Sequence, residues 1–140
     1  MSEKPKIAPE LQAQIDKFKA DGHAVAALTI AGVKYVYRSI NREEFRELQE
    51  KMSQEAEKVS IDTEKAKVGL KEDSPEMATI TAKVQKEAMK IRDRGEERLV
   101  EKGLISPAMS SNTPAGVSTT IADRIMELSG FSVEAEPEIL

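Results

Sequence analysis

The chain has 140 residues, 39% of them apolar but only 4% aromatic and none tryptophan, so its length allows one core and its composition keeps that core thin. Charged residues make up 33% and sum to −4, with basic and acidic side chains interleaved, and no basic block stands apart to displace counterions from a nucleic acid. Cysteine is absent, which excludes disulfides and thiolate metal sites, and no apolar run approaches the roughly 20 residues needed to span a bilayer.

Residues 1–8 read as a flexible polar leader without the apolar centre of a signal peptide, so a cytoplasmic protein is expected. Pro9 suits a first helical turn, Leu11, Ile15 and Phe18 follow at helical spacing, and Gly22 lies where a C-terminal cap belongs, predicting a helix over about 9–20. The period then changes. His23 to Ile30 is small and apolar, Val33 to Arg38 alternates in β-branched and aromatic residues, and Ala31-Gly32 lies between them. A β-hairpin over about 23–38 follows, with Val33, Tyr35 and Tyr37 on one face. An isolated hairpin is marginal in water, so this one has to pack on a helix or a partner.

Asn41 and Glu44 have the spacing of a capping box, and Phe45, Leu48, Met52, Ala56 and Val59 recur in steps of three and four, predicting an amphipathic helix over 42–59. The pattern weakens over 60–74, which reads as a linker. Ser74 then caps a helix that starts at Pro75, carries Met77, Ile80, Val84, Ala88, Ile91 and Leu99 on one stripe, and ends at Gly103. Gly95 on that stripe marks either close helix packing or a bend. The two long helices are expected to pair as an antiparallel helical hairpin. Leu104 to Pro107 leads into a polar loop, and Ser118 or Thr119 can cap a last helix in which Ile121, Ile125 and Leu128 share a face. Gly130 closes it and Phe131 is placed to fold back as an apolar contact. Residues 132–140 form an acidic flexible tail. The expected class is α+β, mainly α: one domain over 9–131 with an N-terminal β-hairpin packed on amphipathic helices, a helical hairpin and a short C-terminal helix.

Conventional catalytic and cofactor patterns are missing. His23 is the single histidine, so a paired-histidine metal site cannot form, and no thiol nucleophile, Gly-x-Ser-x-Gly elbow, glycine-rich phosphate loop or calcium loop occurs. The carboxylate pairs Glu43-Glu44 and Glu96-Glu97 read as solvated helix faces. The expectation is a protein without catalytic residues, cofactor or metal that works by binding other proteins, its Met- and Ala-lined helices suited to covering an apolar surface.

Two segments carry a family resemblance. The first is Leu28-Thr29-Ile30-Ala31-Gly32-Val33-Lys34-Tyr35-Val36-Tyr37-Arg38-Ser39-Ile40-Asn41-Arg42-Glu43-Glu44-Phe45, a hairpin ending in an aromatic-x-Arg step, then a polar turn and a helix start. The second runs from Arg98-Leu99-Val100 through Gly103-Leu104-Ile105-Ser106-Pro107 and Pro114-Ala115-Gly116 to Ile121-Ala122-Asp123-Arg124-Ile125-Met126-Glu127-Leu128-Ser129-Gly130-Phe131. Together they resemble the opening and closing patterns of small tail-assembly chaperones of tailed bacteriophages; baseplate-assembly chaperones are a related possibility. The resemblance leaves the charged middle, residues 46–97, without a counterpart. It implies a non-enzymatic escort in the host cytoplasm that binds a tape-measure protein or another tube or baseplate component, contacts neither nucleic acid nor membrane, and can form homo-oligomers. The alternative is a structural or adaptor subunit retained in the virion. The partner-binding residues nominated by these segments are Tyr35, Tyr37, Arg38, Arg42, Phe45, Leu104, Ile105, Pro107, Ile121, Ile125, Leu128 and Phe131.

Overall fold

The structure, a computed structural model, describes residues 8–131 and 139. Along the chain run α1 (Pro9–Ala20), β1 (Val25–Ile30), β2 (Val33–Arg38), α2 (Arg42–Lys67), α3 (Pro75–Gly103), β3 (Leu104–Ser106) and α4 (Ala115–Leu128). The class is mainly α with a small antiparallel sheet, as the residue patterns suggest. The expected leader (1–8) and tail (132–140) lie outside the described residues except for Ala8, which stands at the N-cap position of α1, and Ile139. Where the sequence reads as one domain over 9–131, the chain divides into two units: one formed by the residues up to Asn41 and from Leu99 onward, the other by Arg42–Arg98.

In the first unit, β1 and β2 pair antiparallel in a continuous register from Val25↔Arg38 to Ile30↔Val33. The two-residue turn places Ala31 at φ 50° and Gly32 at φ 81°, the left-handed pair that matches the right-handed twist of the strands. β3 adds to the free side of β2 through Val36↔Ser106 and Tyr37↔Leu104, with a bulge at Val36/Tyr37, giving the order β1-β2-β3. This third strand is absent from the sequence reading: three residues are too few to show a period, and their pairing depends on a partner far away in the chain.

β2 is therefore central, and it is buried on both faces, with Tyr35, Val36, Tyr37 and Arg38 all under 9% exposed. Val33, at the turn, is 42% exposed. Helices α1 and α4 supply cover: α1 lies against β1 and β3, and α4 against β2. The core of this unit comprises Ile15, Tyr35, Val36, Tyr37, Ile40, Val100, Val117, Ile121, Ala122 and Ile125. Ile121 and Ile125 are fully enclosed, each worth about 1.5–3 kcal/mol of burial.

Helix ends are set locally. α4 starts at Ala115 behind Pro114 and has no side-chain cap, so Ser118 and Thr119 sit inside the helix and not at its start. At its far end, Phe131 N–H donates to the Met126 carbonyl and Gly130 N–H to the Glu127 carbonyl, a Schellman closure that Gly130 permits at φ 96°. The Phe131 side chain stays 53% exposed. α1 closes the same way, through His23 N–H to Phe18 and Gly22 N–H to Lys19.

The second unit holds α2 and the larger part of α3. α3 has the predicted bounds: Ser74 Oγ accepts the Met77 N–H at 3.3 Å, and Pro75 occupies the first helical position. α2 does not stop at Val59. It continues to Lys67, so the linker over 60–74 shrinks to 68–74. The misreading has a cause: large apolar residues leave the seam after Val59, while the local propensities of Asp62 to Lys67 remain adequate for a helix.

Candidate protein-binding groove

The helical pair of the second unit has almost no core. α2 buries none of its 26 residues, and among Arg42–Arg98 only Ile91 falls below 9% exposure. The facing residues recur in steps of three and four on both helices: Leu48, Met52, Glu55 and Val59 on α2, and Met77, Ile80, Val84, Glu87, Ile91 and Arg94 on α3. Charged residues occupy positions where a closed hairpin would carry Leu or Ile.

One charged layer joins the two helices, with Arg98 Nη1 left buried and without a hydrogen-bond partner. Glu55 accepts from Arg94 Nε at 3.0 Å and from Arg98 Nη2, so two guanidinium groups of α3 hold one carboxylate of α2. The Arg98 hydrogen bond, reinforced by Arg94 and by the charges of both groups, keeps the Glu55 carboxyl below its usual range against the opposing effect of partial burial. Next to this layer the helices approach closely: a Cβ at Gly95 would stand 3.1 Å from the Met52 sulfur, which resolves the choice posed by Gly95 in favour of close packing.

Past that layer the helices enclose an open groove of about 510 Å³. Val59, Thr63, Ala66, Ile80 and Val84 supply its less polar lining, and Glu55, Lys58, Asp62, Lys83, Glu87 and Arg94 its charged lining. A lining that mixes apolar and charged side chains is chemistry that suits a groove receiving an amphipathic helix. None of the lining residues is among those nominated from the sequence. Lys58, Val59, Asp62, Thr63 and Ala66 carry a detectable signal, the three-four step continuing through small and polar side chains, but it is weak because periodicity is read mainly from large apolar ones.

The nominated residues divide by burial. Tyr35, Tyr37, Arg38, Ile121 and Ile125 are core residues and present no side-chain surface to a partner, which corrects their nomination. Leu104, Ile105 and Leu128 are half-buried in the first unit; Pro107, at a cis Ser106–Pro107 bond, and Phe131 are exposed there. In the second unit Arg42 is exposed and Phe45 half-buried.

Arg38 has a structural setting. Its guanidinium lies 4.7 Å from the centre of the Phe18 ring and its Nη1 donates to the Ser39 carbonyl at 3.1 Å. His23 Nδ1 lies 2.8 Å from the same carbonyl, to which it can donate when it carries the ring proton, and Arg38 Nη1 stands 3.3 Å from Nδ1 and 3.4 Å from Nε2. Among the described residues no group of three or more His, Asp or Glu stands close enough to hold a metal ion, and no helix is long and apolar enough to cross a membrane.

Comparison with protein-family models, with curated proteins and with solved structures found no match to this chain.

Proposed function

We propose that this chain is a non-enzymatic protein-binding escort whose α2–α3 groove receives an amphipathic helix of its client. The observation that carries the reading is the helical pair itself: 26 residues of α2 with no buried side chain, beside a groove of about 510 Å³ lined in part by Val59, Ala66, Ile80 and Val84. Isolated helices draw most of their stability from packing an amphipathic face, and here much of that face is left uncovered. A client helix laid along Val59, Ala66, Ile80 and Val84 covers it, and by mass action stabilises the escort as it binds.

The identity of the client comes from the two segments that resemble phage tail-assembly chaperones. On that resemblance the client is a tape-measure protein or another tail component, and the escort acts in the host cytoplasm before the tail is complete. The chain then copurifies with a long helical tail protein and is missing from mature particles. Mass spectrometry of purified virions is the test: near-stoichiometric recovery there would instead make the chain a retained subunit. Lysine in place of Ala66, an exposed groove residue, abolishes copurification while leaving the melting temperature of the free chain within a few degrees. Undiminished binding by that variant removes the groove from the reading.

A further inference from the structure

Beside the groove, α2 carries a second pattern that does not rest on any phage context. Residues 54, 57, 58, 61, 64 and 65 fall on one face at steps of three, one, three, three and one, and all of them are exposed; Lys58, at the edge of this face, also lines the groove. Ile61 stands at the centre of this face, 48% exposed.

The charges around Ile61 are antisymmetric. Three and four residues before it stand Lys58 and Glu57; three and four residues after it stand Glu64 and Lys65. Among the described residues none of these four has an ion-pair partner. If the same face of a second α2 is laid antiparallel across it, with a two-fold axis through Ile61, Glu57 meets Lys65 of the other copy and Lys58 meets its Glu64. Each pair occurs twice by symmetry, and Ile61 meets Ile61. A two-fold interface must be self-complementary in this way: whatever residue i meets at j, j must meet at i. Parallel pairing in the same register would set Glu57 against Glu57 and Lys65 against Lys65, and is disfavoured.

We propose that the α2 face centred on Ile61 is a homodimer interface, formed by antiparallel pairing with α2 of a second copy of this chain. The occupant is set by charge complementarity. An unrelated partner would need to reproduce the order Glu-Lys, aliphatic, Glu-Lys in reverse, which this segment supplies to itself. The contact is limited to about two heptads of one helix and lies below the area of a standard stable interface, so the dimer is concentration-dependent.

The test uses the purified full-length chain. Sedimentation velocity over roughly 1–500 μM, the range in which small interfaces associate, shows a monomer–dimer equilibrium. Glu57→Lys with Glu64→Lys makes the face uniformly basic, and Lys58→Glu with Lys65→Glu makes it uniformly acidic. Each variant alone loses at least tenfold in dimer affinity, with unchanged far-ultraviolet circular dichroism, and an equimolar mixture regains dimer as a heterodimer. Since the chain has no cysteine, Ile61→Cys gives a second readout: it oxidises to a covalent dimer at least tenfold faster than Ser53→Cys, which is exposed on another face of α2. A wild-type chain that stays monomeric throughout, variants that dimerise as well as wild type, a mixture that fails to associate, or equal oxidation rates for the two cysteines would each overturn the proposal.

Discussion

Gly103 shows how much one missing methyl can decide. A Cβ at that position would stand 2.5 Å from Cδ1 of Ile125 and 2.9 Å from its two other branch carbons, and Ile125 is itself fully buried. Gly103→Ala therefore forces the centre of the first unit apart, at a cost of about 1–3 kcal/mol; a lowered denaturant midpoint at unchanged slope is the expected result. Ala31 poses the opposite problem, since a residue with a Cβ holds φ 50° in the hairpin turn. Asn-Gly is preferred there, so Ala31→Asn stabilises the hairpin by up to about 1 kcal/mol, read as a rise in melting temperature. At Glu55 the sign of the pH effect follows from its lowered pKa. A carboxyl held below its usual value of about 4.5 stabilises the folded form fully above that value, and that stabilisation is lost as pH falls through the folded value. Acid unfolding of the wild type is thus steeper below pH 4.5 than that of Glu55→Gln, which carries no titrating group there. Titration curves of matching steepness would show that the Arg94 and Arg98 contacts contribute nothing in solution.

At the scale of elements, legibility in the sequence tracks side-chain size. The hairpin is legible because Ala31-Gly32 separates a small apolar run from an alternating one, and α3 because Ser74-Pro75 announces its start. The second half of α2 is not: Asp62, Thr63 and Ala66 hold the helical step without an apolar signature, so the apolar period ends at Val59 although the helix and the groove that those residues line continue beyond it. Tyr35, Tyr37, Ile121 and Ile125 were recognised as consequential but assigned to a partner surface, because a sequence gives periodicity and not the number of layers that cover a strand. Their burial makes a contrast testable. Ile121→Ala removes a fully enclosed side chain and costs about 2–5 kcal/mol. Val59→Ala, on a half-buried site beside the groove, costs under about 1 kcal/mol, because a partly solvated methyl leaves no closed cavity.

For the whole molecule, that contrast separates two units of unequal packing. The first gathers ten buried apolar residues around β2, whereas Arg42–Arg98 has Ile91 and a network of arginines on Glu55. Local opening is easiest where few apolar contacts must break, so amide exchange ought to divide along the same boundary. Amides of β2 and of α4 from Ile121 to Ile125 exchange last, with the free energy of global unfolding, while amides of α2 between Lys58 and Lys67 exchange first among the helices. Both proposals then predict changes in the same segment, and they are distinguishable. Self-association protects Glu57 to Lys65 as chain concentration rises, with no client present, and leaves the α3 side of the groove near Ile80 and Val84 unaffected. A client helix protects Val59, Ala66, Ile80 and Val84 together, at any chain concentration once the client is in excess. Exchange as slow in α2 as in β2 for the free, dilute chain would mean that the helical pair is stable by itself, and would take away the physical reason for expecting either partner.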